Sequence, residues 1–240
     1  RFFLLGANRW ASANNWPPEG AKDQSFFLHS AGNANSGKGS GRLDMSMPEK
    51  EPADRFSYDP GNPVPTRGGS ICCLREMTKA GPMDQRTIEL REDVLVYTTA
   101  PLENDLTIAG PVALELFAAT SARDTDFTGK LVDVHPDGKA INIVESIVRG
   151  RFRNGMGAPQ FVKPGEAERY RFILGHAAAV FKKGHRIRLE VSSSNFPRFD
   201  RNLNTGGPIG EESVFITAHQ AVFHDREHPS RLVLTVWDEK

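Results

Sequence analysis

The sequence has very little cysteine. Its only two cysteines, Cys72 and Cys73, are neighbours in the chain. Adjacent cysteines can form a disulfide only through a strained small ring, so the sequence offers no disulfide framework. We therefore expect a reducing compartment such as the cytoplasm, and export of a longer parent protein stays open.

Net charge and long apolar runs are also lacking. The 30 basic and 30 acidic residues balance, so the sequence has no basic surface of the kind that binds nucleic acid or an anionic membrane. No apolar run approaches the roughly 18 residues that a membrane helix needs. We expect no nucleic-acid partner and no membrane partner. The chain opens on Arg1 within an apolar run, which suggests a piece of a longer polypeptide.

A hydrolytic nucleophile is missing as well. Serine hydrolases of the α/β type carry the nucleophile on a sharp turn with the pattern Gly-x-Ser-x-Gly, and the sequence does not contain this pattern. No catalytic residue is therefore predicted in this chain, and no cofactor is predicted.

Short β-branched runs separated by turn residues dominate the sequence from Asp93 onward. In the clearest run Ile187, Leu189 and Val191 alternate with charged residues, which predicts a strand with one buried face. Further alternating sets are Val112, Leu114 and Leu116; Ile141, Ile143 and Ile147; Tyr170, Phe172 and Leu174; and Leu232, Leu234 and Val236. No segment has a strong helical period, and residues 71–80 are the best helix candidate. The pattern predicts an all-β fold of two packed antiparallel sheets.

We expect a single domain over residues 1–240. Residues 1–69 are rich in Gly, Asn, Ser and Pro and predict an irregular wrapping segment and linker. Residues 70–92 predict a loop, and residues 93–240 predict the core sandwich.

The sequence contains two sets of potential metal ligands, and neither is favoured as a metal site. His219, His224 and His228 are close in sequence, but a strand over 217–223 would point His219 and His224 to opposite sides. Asp124, Asp126 and Asp133 could supply oxygen ligands to calcium, although a turn that begins at Asp124 and an ion pair between Asp126 and an arginine are the favoured explanation. We predict no metal, and a calcium ion near Asp124 and Asp126 stays open.

Three alternating arginines, Arg149, Arg151 and Arg153, would share one face of a strand. Forked ion pairs with Asp126 and Asp133 are the favoured explanation, and binding of an anion is the alternative. Trp10 and Trp16 could form a platform for a sugar ring, but tryptophans more often cover the edge of a core or a seam between domains.

Several motifs in order along the chain resemble one family. They are GANRW at 6–10 with Trp16-Pro17, YDP at 58–60, PVPT at 63–66, GPMDQR at 81–86, REDVLVY at 91–97, DTDFTGKLVDVHPDG at 124–138, SSSNFPRFDRN at 192–202 and HDREHPS at 224–230. Together they resemble the C-terminal domain of the X-Pro dipeptidyl-peptidase, cocaine-esterase (CocE/NonD) and α-amino-acid ester hydrolase superfamily.

This resemblance implies a jelly-roll β-sandwich of the galactose-binding-like kind. It also implies that the Ser-Asp-His triad lies in an upstream α/β-hydrolase domain with a helical cap, and that these are the partners of this chain. The parent would be a serine hydrolase whose substrate is a small ester, an amide or an X-Pro peptide, cleaved through an acyl-enzyme.

Two sets of residues then acquire an expected role. Phe2, Phe3, Trp10 and Trp16 are predicted to form a seam with the upstream domain. A loop that reaches the rim of the catalytic pocket corresponds to residues 70–80, with Ile71, Cys72, Cys73 and Leu74 as its apolar part. A carbohydrate-binding jelly-roll is the alternative function, which a Trp-dependent signal on a glycan array would support. A role in contacts within a homo-oligomer is a third possible function of the chain.

Overall fold

The computed structural model describes residues 1–71 and 79–239, and almost all of its regular structure is β-strand. The strands are β1 (Phe2–Leu4), β2 (Arg9–Ala11), β3 (Lys22–His29), β4 (Arg42–Asp44), β5 (Asp54–Tyr58), β6 (Leu95–Thr98), β7 (Leu106–Thr120), β8 (Asp126–Val134), β9 (Ala140–Arg149), β10 (Glu168–Phe181), β11 (Arg186–Ser192), β12 (Ala218–Phe223) and β13 (Arg231–Val236). One short 3₁₀-helix spans Gly150–Phe152. No helix in this part of the chain is long and apolar enough to cross a membrane.

The large sheet contains eleven strands in the order β5-β12-β7-β13-β3-β4-β6-β11-β8-β9, with β10 paired to β7. The long strand β7 pairs with β10 over nearly its whole length and with β12 and β13 as well. Every pairing in this sheet is antiparallel except that of β4 with β6. The all-β prediction is confirmed. The two expected sheets are joined by hydrogen bonding through β4 and β6, and the galactose-binding-like assignment stays a prediction.

The sheet folds over so that β8 and β9 face β7 and β10. Gly129 of β8 lies against Leu114 of β7 and Leu174 of β10, and Gly175 of β10 lies against Val144 of β9. The main core fills the space between these layers, and its largest fully buried members include Tyr58, Tyr97, Phe127, Tyr170 and Phe181. The chain is an all-β sandwich.

The predicted inward faces agree with burial in most strands. Ile187, Leu189 and Val191 are completely buried. The sets on β7, β10 and β13 are also buried or packed against the main core.

The prediction for β9 was wrong in part. Ile143 packs on the main core together with Val144 and Val148, but Ile147 does not belong to it. A bulge at Ile143 of β9 shifts the pairing register by one residue, because Leu131 pairs with Val144 whereas Val132 pairs with Asn142. Because side chains alternate with a period of two, such a shift exchanges the faces of β9 on either side of it.

The N-terminal segment contributes more than the expected wrapping. β3 pairs with β13, and β5 pairs with β12, so residues before Asp93 supply strands to the large sheet. The expected division at Asp93 therefore does not separate the strands of the sandwich. The candidate helix over 71–80 lies almost wholly outside the described residues.

Candidate functional site

The first candidate surface is the aromatic hairpin, defined as β1 and β2 with their turn (residues 2–11). Its register pairs Phe3 with Trp10, and the two rings meet edge to face with centroids 5.6 Å apart. Phe3 is 38% exposed and Trp10 is 61% exposed. The opposite face of the hairpin is buried through Leu4 and Ala11. The hairpin thus holds two large aromatic side chains outward on a fixed base.

The other two predicted seam residues, Phe2 and Trp16, contact each other and differ in their exposure. Phe2 contacts Trp16 at 5.1 Å and Trp237 at 5.7 Å between ring centroids, both edge to face. The Trp16 indole N–H donates to Nδ1 of His176 at 2.8 Å. Phe2 therefore packs on the small cluster around Trp237, whereas Trp16 is 39% exposed and is held by Phe2 and His176.

The second candidate region is the base of the predicted rim loop. Gly69 and Gly81 exchange two backbone hydrogen bonds of 2.8 and 2.9 Å, which bring the two ends of residues 70–80 together. Ile71 is buried, so its side chain does not face outward. Cys72, Cys73 and Leu74 lie outside the described residues.

A buried charge cluster supports this base. Lys130 lies 3.4 Å from a carboxylate oxygen of both Glu145 and Glu190, and its Nζ donates to Gln85 at 2.8 Å. Arg198 pairs with the other oxygen of Glu145 at 2.5 Å. A Cβ at Gly69, whose φ is 81°, would overlap Glu145 and Arg198, so only glycine allows this close approach.

Burial dominates the electrostatics of this cluster. It raises the pKa of Glu190 to about 7, against the lowering effect of Lys130. Burial alone would lower the pKa of Lys130, but the charges of Glu190 and Glu145 raise it above its usual value. Sequence periodicity placed Glu190 on the polar face of β11. The structure shows that Glu190 is buried, in a small cavity that Val64, Ile88 and Val94 also line.

The predicted arginine row takes a different form. β9 ends at Arg149, and the 3₁₀-helix carries Arg151 away from the strand. Arg149 forms a forked pair with Asp126 at 3.0 and 3.1 Å, and Arg151 pairs with Asp124 at 2.7 Å. The Asn202 amide donates to both carboxylates.

The remaining members of that prediction have other partners. Arg153 pairs with Glu168 at 3.0 Å, and Asp133 pairs with histidines. Burial raises the pKa of Asp126 to about 6, although Arg149 acts in the opposite direction. The guanidinium groups of Arg149 and Arg151 already have carboxylate partners, which leaves little capacity for an external anion.

Neither of the two candidate ligand sets from the sequence converges on one point among the described residues. Asp126 and Asp133 stand at opposite ends of β8, seven residues and about 23 Å apart in an extended strand. His219 is exposed and bonded to Ser57, whereas His224 is fully buried and bonded to Asp54. His228 contacts Asp225.

His224 forms a buried network with Asp54 that superficially resembles part of a triad. The imidazole Nε2 lies 2.8 Å from Asp54, which also accepts hydrogen bonds from the hydroxyls of Ser30 and Tyr97. In a triad the histidine stands between the serine and the carboxylate. Here Ser30 bonds to Asp54 directly, so the histidine is not placed to take its proton. The network ties β5 and β6 to the segments that follow β3 and β12.

Sequence reasoning missed one exposed apolar segment. Ile209, Val214, Phe215 and Ile216 are all at least 45% exposed in the loop before β12, and the Phe215 ring lies beside Gly61. The run of three apolar residues within a Gly-rich and Glu-rich loop is the signal that could have revealed it. This loop is a second outward apolar surface.

Comparisons with known proteins agree on the family. The model for the X-Pro dipeptidyl-peptidase C-terminal non-catalytic domain matches residues 1–233. The cocaine esterase of Rhodococcus sp. (strain MB1 Bresler) is 42% identical over 238 residues, which are 98% of this chain and 41% of that protein.

Solved structures give the same result. An α-amino acid ester hydrolase is 28% identical with a TM-score of 0.86, and an aminopeptidase from a marine sediment Thaumarchaeota archaeon is 29% identical with a TM-score of 0.84. Each superposition covers 98% of this chain and 40% of the other. The chain therefore spans about two fifths of the length of the relatives that it matches. The resemblance predicted from the motifs is confirmed, and the chain belongs to the family of X-Pro dipeptidyl-peptidase C-terminal non-catalytic domains.

Proposed function

We propose that this chain is the non-catalytic module of a serine hydrolase that cleaves carboxylic esters, and that it packs on an upstream α/β-hydrolase domain. The observation that carries the proposal is the 42% identity with an esterase of which the chain covers only 41%. The remaining length of such a protein has room for the catalytic domain and its cap. Within this scheme the nucleophile, the general base and the oxyanion hole are supplied by the upstream domain.

The aromatic hairpin is proposed as one contact with that domain. Phe3 and Trp10 form a rigid outward pair, and aromatic residues of this kind are enriched in the buried centre of interfaces. The hairpin is attached to β10 by hydrogen bonds from Leu5 to Ala178 and from Val180 to Leu5. A partner that covers the hairpin would therefore be held against the main sheet.

The rim loop is proposed as the part that shapes the substrate pocket. Its two ends are joined at Gly69 and Gly81 and are seated on the buried charge cluster. A loop with a fixed base can place a few apolar side chains precisely next to a pocket. Cys72, Cys73 and Leu74 are the residues proposed for that contact.

The test compares ester hydrolysis by the full-length protein with that of its Phe3→Ser/Trp10→Ser variant. We expect a loss of activity, because removal of the aromatic pair weakens the contact between the domains. The Met45→Ser/Met47→Ser variant is a matched control, since it also removes two exposed apolar side chains, and it should retain full activity. The isolated 240-residue chain should hydrolyse no p-nitrophenyl ester.

Two results would contradict the proposal. Turnover by the isolated chain that a serine-directed inhibitor abolishes would place a nucleophile within it. Full activity of the Phe3→Ser/Trp10→Ser variant, combined with Trp10-dependent binding on a glycan array, would favour the carbohydrate-binding alternative.

A further inference from the structure

A cluster of one aspartate and two histidines lies where β8 leaves the sheet, away from the residues proposed for the domain contact. Asp133 and His135 are two residues apart at the end of β8, and side chains two apart in an extended chain point to the same side. The antiparallel register pairs Val134 with Arg186. His185, which immediately precedes β11, is therefore placed opposite His135.

The distances within this cluster are close to those of a metal coordination sphere. Oδ2 of Asp133 lies 3.1 Å from Nδ1 of His185 and 3.5 Å from Nε2 of His135. All three candidate ligand atoms lie within 4.8 Å of one another. Tetrahedral zinc with bonds of about 2.0–2.2 Å separates its ligand atoms by about 3.4 Å. Two of these separations are already close to that value, and the third, between the two imidazole nitrogens, is no longer than 4.8 Å, with the ring centroids 4.4 Å apart.

The ion-pair partners of the Asp133 carboxylate also favour a metal site. Its side chain is only 11% exposed, and among the described residues it forms ion pairs with His135 and His185 alone. Nearby carboxylates are different, because Asp105 pairs with Lys182 and Asp137 pairs with Lys139. A buried carboxylate is costly without a counter-charge. Among the described residues the two imidazole rings are the groups that face this carboxylate, and a bound cation would supply a full counter-charge.

We propose that Asp133, His135 and His185 form a binding site for a divalent transition metal of the zinc type. Two imidazole nitrogens and one carboxylate oxygen suit such a borderline ion, whereas calcium and magnesium require mostly oxygen ligands. The His135 side chain is partly exposed, so solvent water would complete the coordination sphere of the ion. The ion would fasten the turn after β8 to the start of β11, and its role is structural.

Zinc titrated into the metal-free protein by calorimetry tests this proposal. We expect one ion per chain, and affinity at least about tenfold weaker in His135→Gln and in His185→Gln, since each removes one ligand. His219→Gln is the matched control, because it removes an exposed histidine from β12 and should leave the affinity unchanged. Calcium should not compete.

Thermal unfolding provides a second readout that does not depend on the calorimetric signal. Because a ligand that binds the folded state raises Tm, zinc should raise the Tm of the parent and of His219→Gln but not that of His135→Gln. His135 lies on a partly exposed turn, so its replacement should leave the metal-free Tm unchanged. Absence of zinc binding up to about 100 μM, or equal affinity in the parent and His135→Gln, would overturn the proposal.

Discussion

Asp54 and His224 show how single buried residues stabilise this sandwich. Burial alone would raise the pKa of Asp54, but hydrogen bonds from His224, Ser30 and Tyr97 lower it below its usual value. Burial alone would lower the pKa of His224, but the hydrogen bond and charge of Asp54 raise it, with a contribution from Glu51. Each group therefore favours the charged form of the other.

These opposite shifts define a pH window. Because the folded-state pKa of His224 is raised, its stabilisation is fully present below the unfolded value of about 6.5 and is lost as pH rises through the folded pKa. Because the pKa of Asp54 is lowered, its stabilisation is present above about 3.9 and is lost as pH falls through the folded pKa. The pair contributes most at mildly acidic pH.

We predict that His224→Gln destabilises the protein more at about pH 6 than at about pH 9. The reason is that only the protonated imidazole attracts the Asp54 carboxylate as a charge. The measurement is the free energy of unfolding from urea titrations of parent and variant at both pH values. His219→Gln serves as the control and should give a small difference that does not depend on pH. An equal loss at both values would mean that His224 is neutral in the folded protein.

At the scale of single strands, alternation was a sufficient guide where both neighbouring strands pair regularly. β11 lies between β6 and β8 in regular register, and its predicted inward residues are all buried. In β9 a bulge at Ile143 changed the face, which the alternation of apolar residues within 140–149 does not reveal. Glu145 lies against the distant Gly69, and Glu190 lines a cavity with Val64, Ile88 and Val94, so local sequence could not predict the burial of either carboxylate.

The candidate sites also differ in how far the sequence alone predicts them. The outward position of Trp10 and the pairing of Arg149 with Asp126 follow from short-range patterns that the sequence displays. The cluster of Asp133, His135 and His185 depends on the register between β8 and β11, which are about 50 residues apart in sequence. Pairing register over such a separation is a property of the folded sheet.

A core substitution tests the assignment of faces in β11. Leu189 is completely buried between the layers, so Leu189→Ala should lower the free energy of unfolding by about 2–5 kcal/mol. Ile173→Ala on β10 is the matched control, because Ile173 is 47% exposed and its truncation should cost much less. Urea unfolding of the two variants gives the comparison. A loss below about 0.5 kcal/mol for Leu189→Ala would show that this face is not core.

On the scale of the molecule, two outward apolar surfaces accompany the internal core in the part of the chain that the structure describes. The aromatic hairpin exposes Phe3 and Trp10, and the loop before β12 exposes Val214 and Phe215. Monomeric proteins rarely keep contiguous apolar patches on their surface unless these serve an interaction. The relatives contain this module within a longer chain, so a covering domain accounts for both surfaces in the proposed arrangement.

The isolated 240-residue chain should therefore self-associate, because the proposed covering domain is absent. We predict that Phe3→Ser/Trp10→Ser shifts its sedimentation velocity profile toward the monomer and leaves its thermal unfolding transition intact, since both side chains face outward. Trp16→Ser should behave differently. Its ring contacts Phe2 and its N–H bonds to His176, so its loss should lower Tm. Loss of the cooperative unfolding transition in Phe3→Ser/Trp10→Ser would instead assign these two residues to the core of the domain. Unchanged self-association of that variant would assign the contact to the loop that carries Val214 and Phe215.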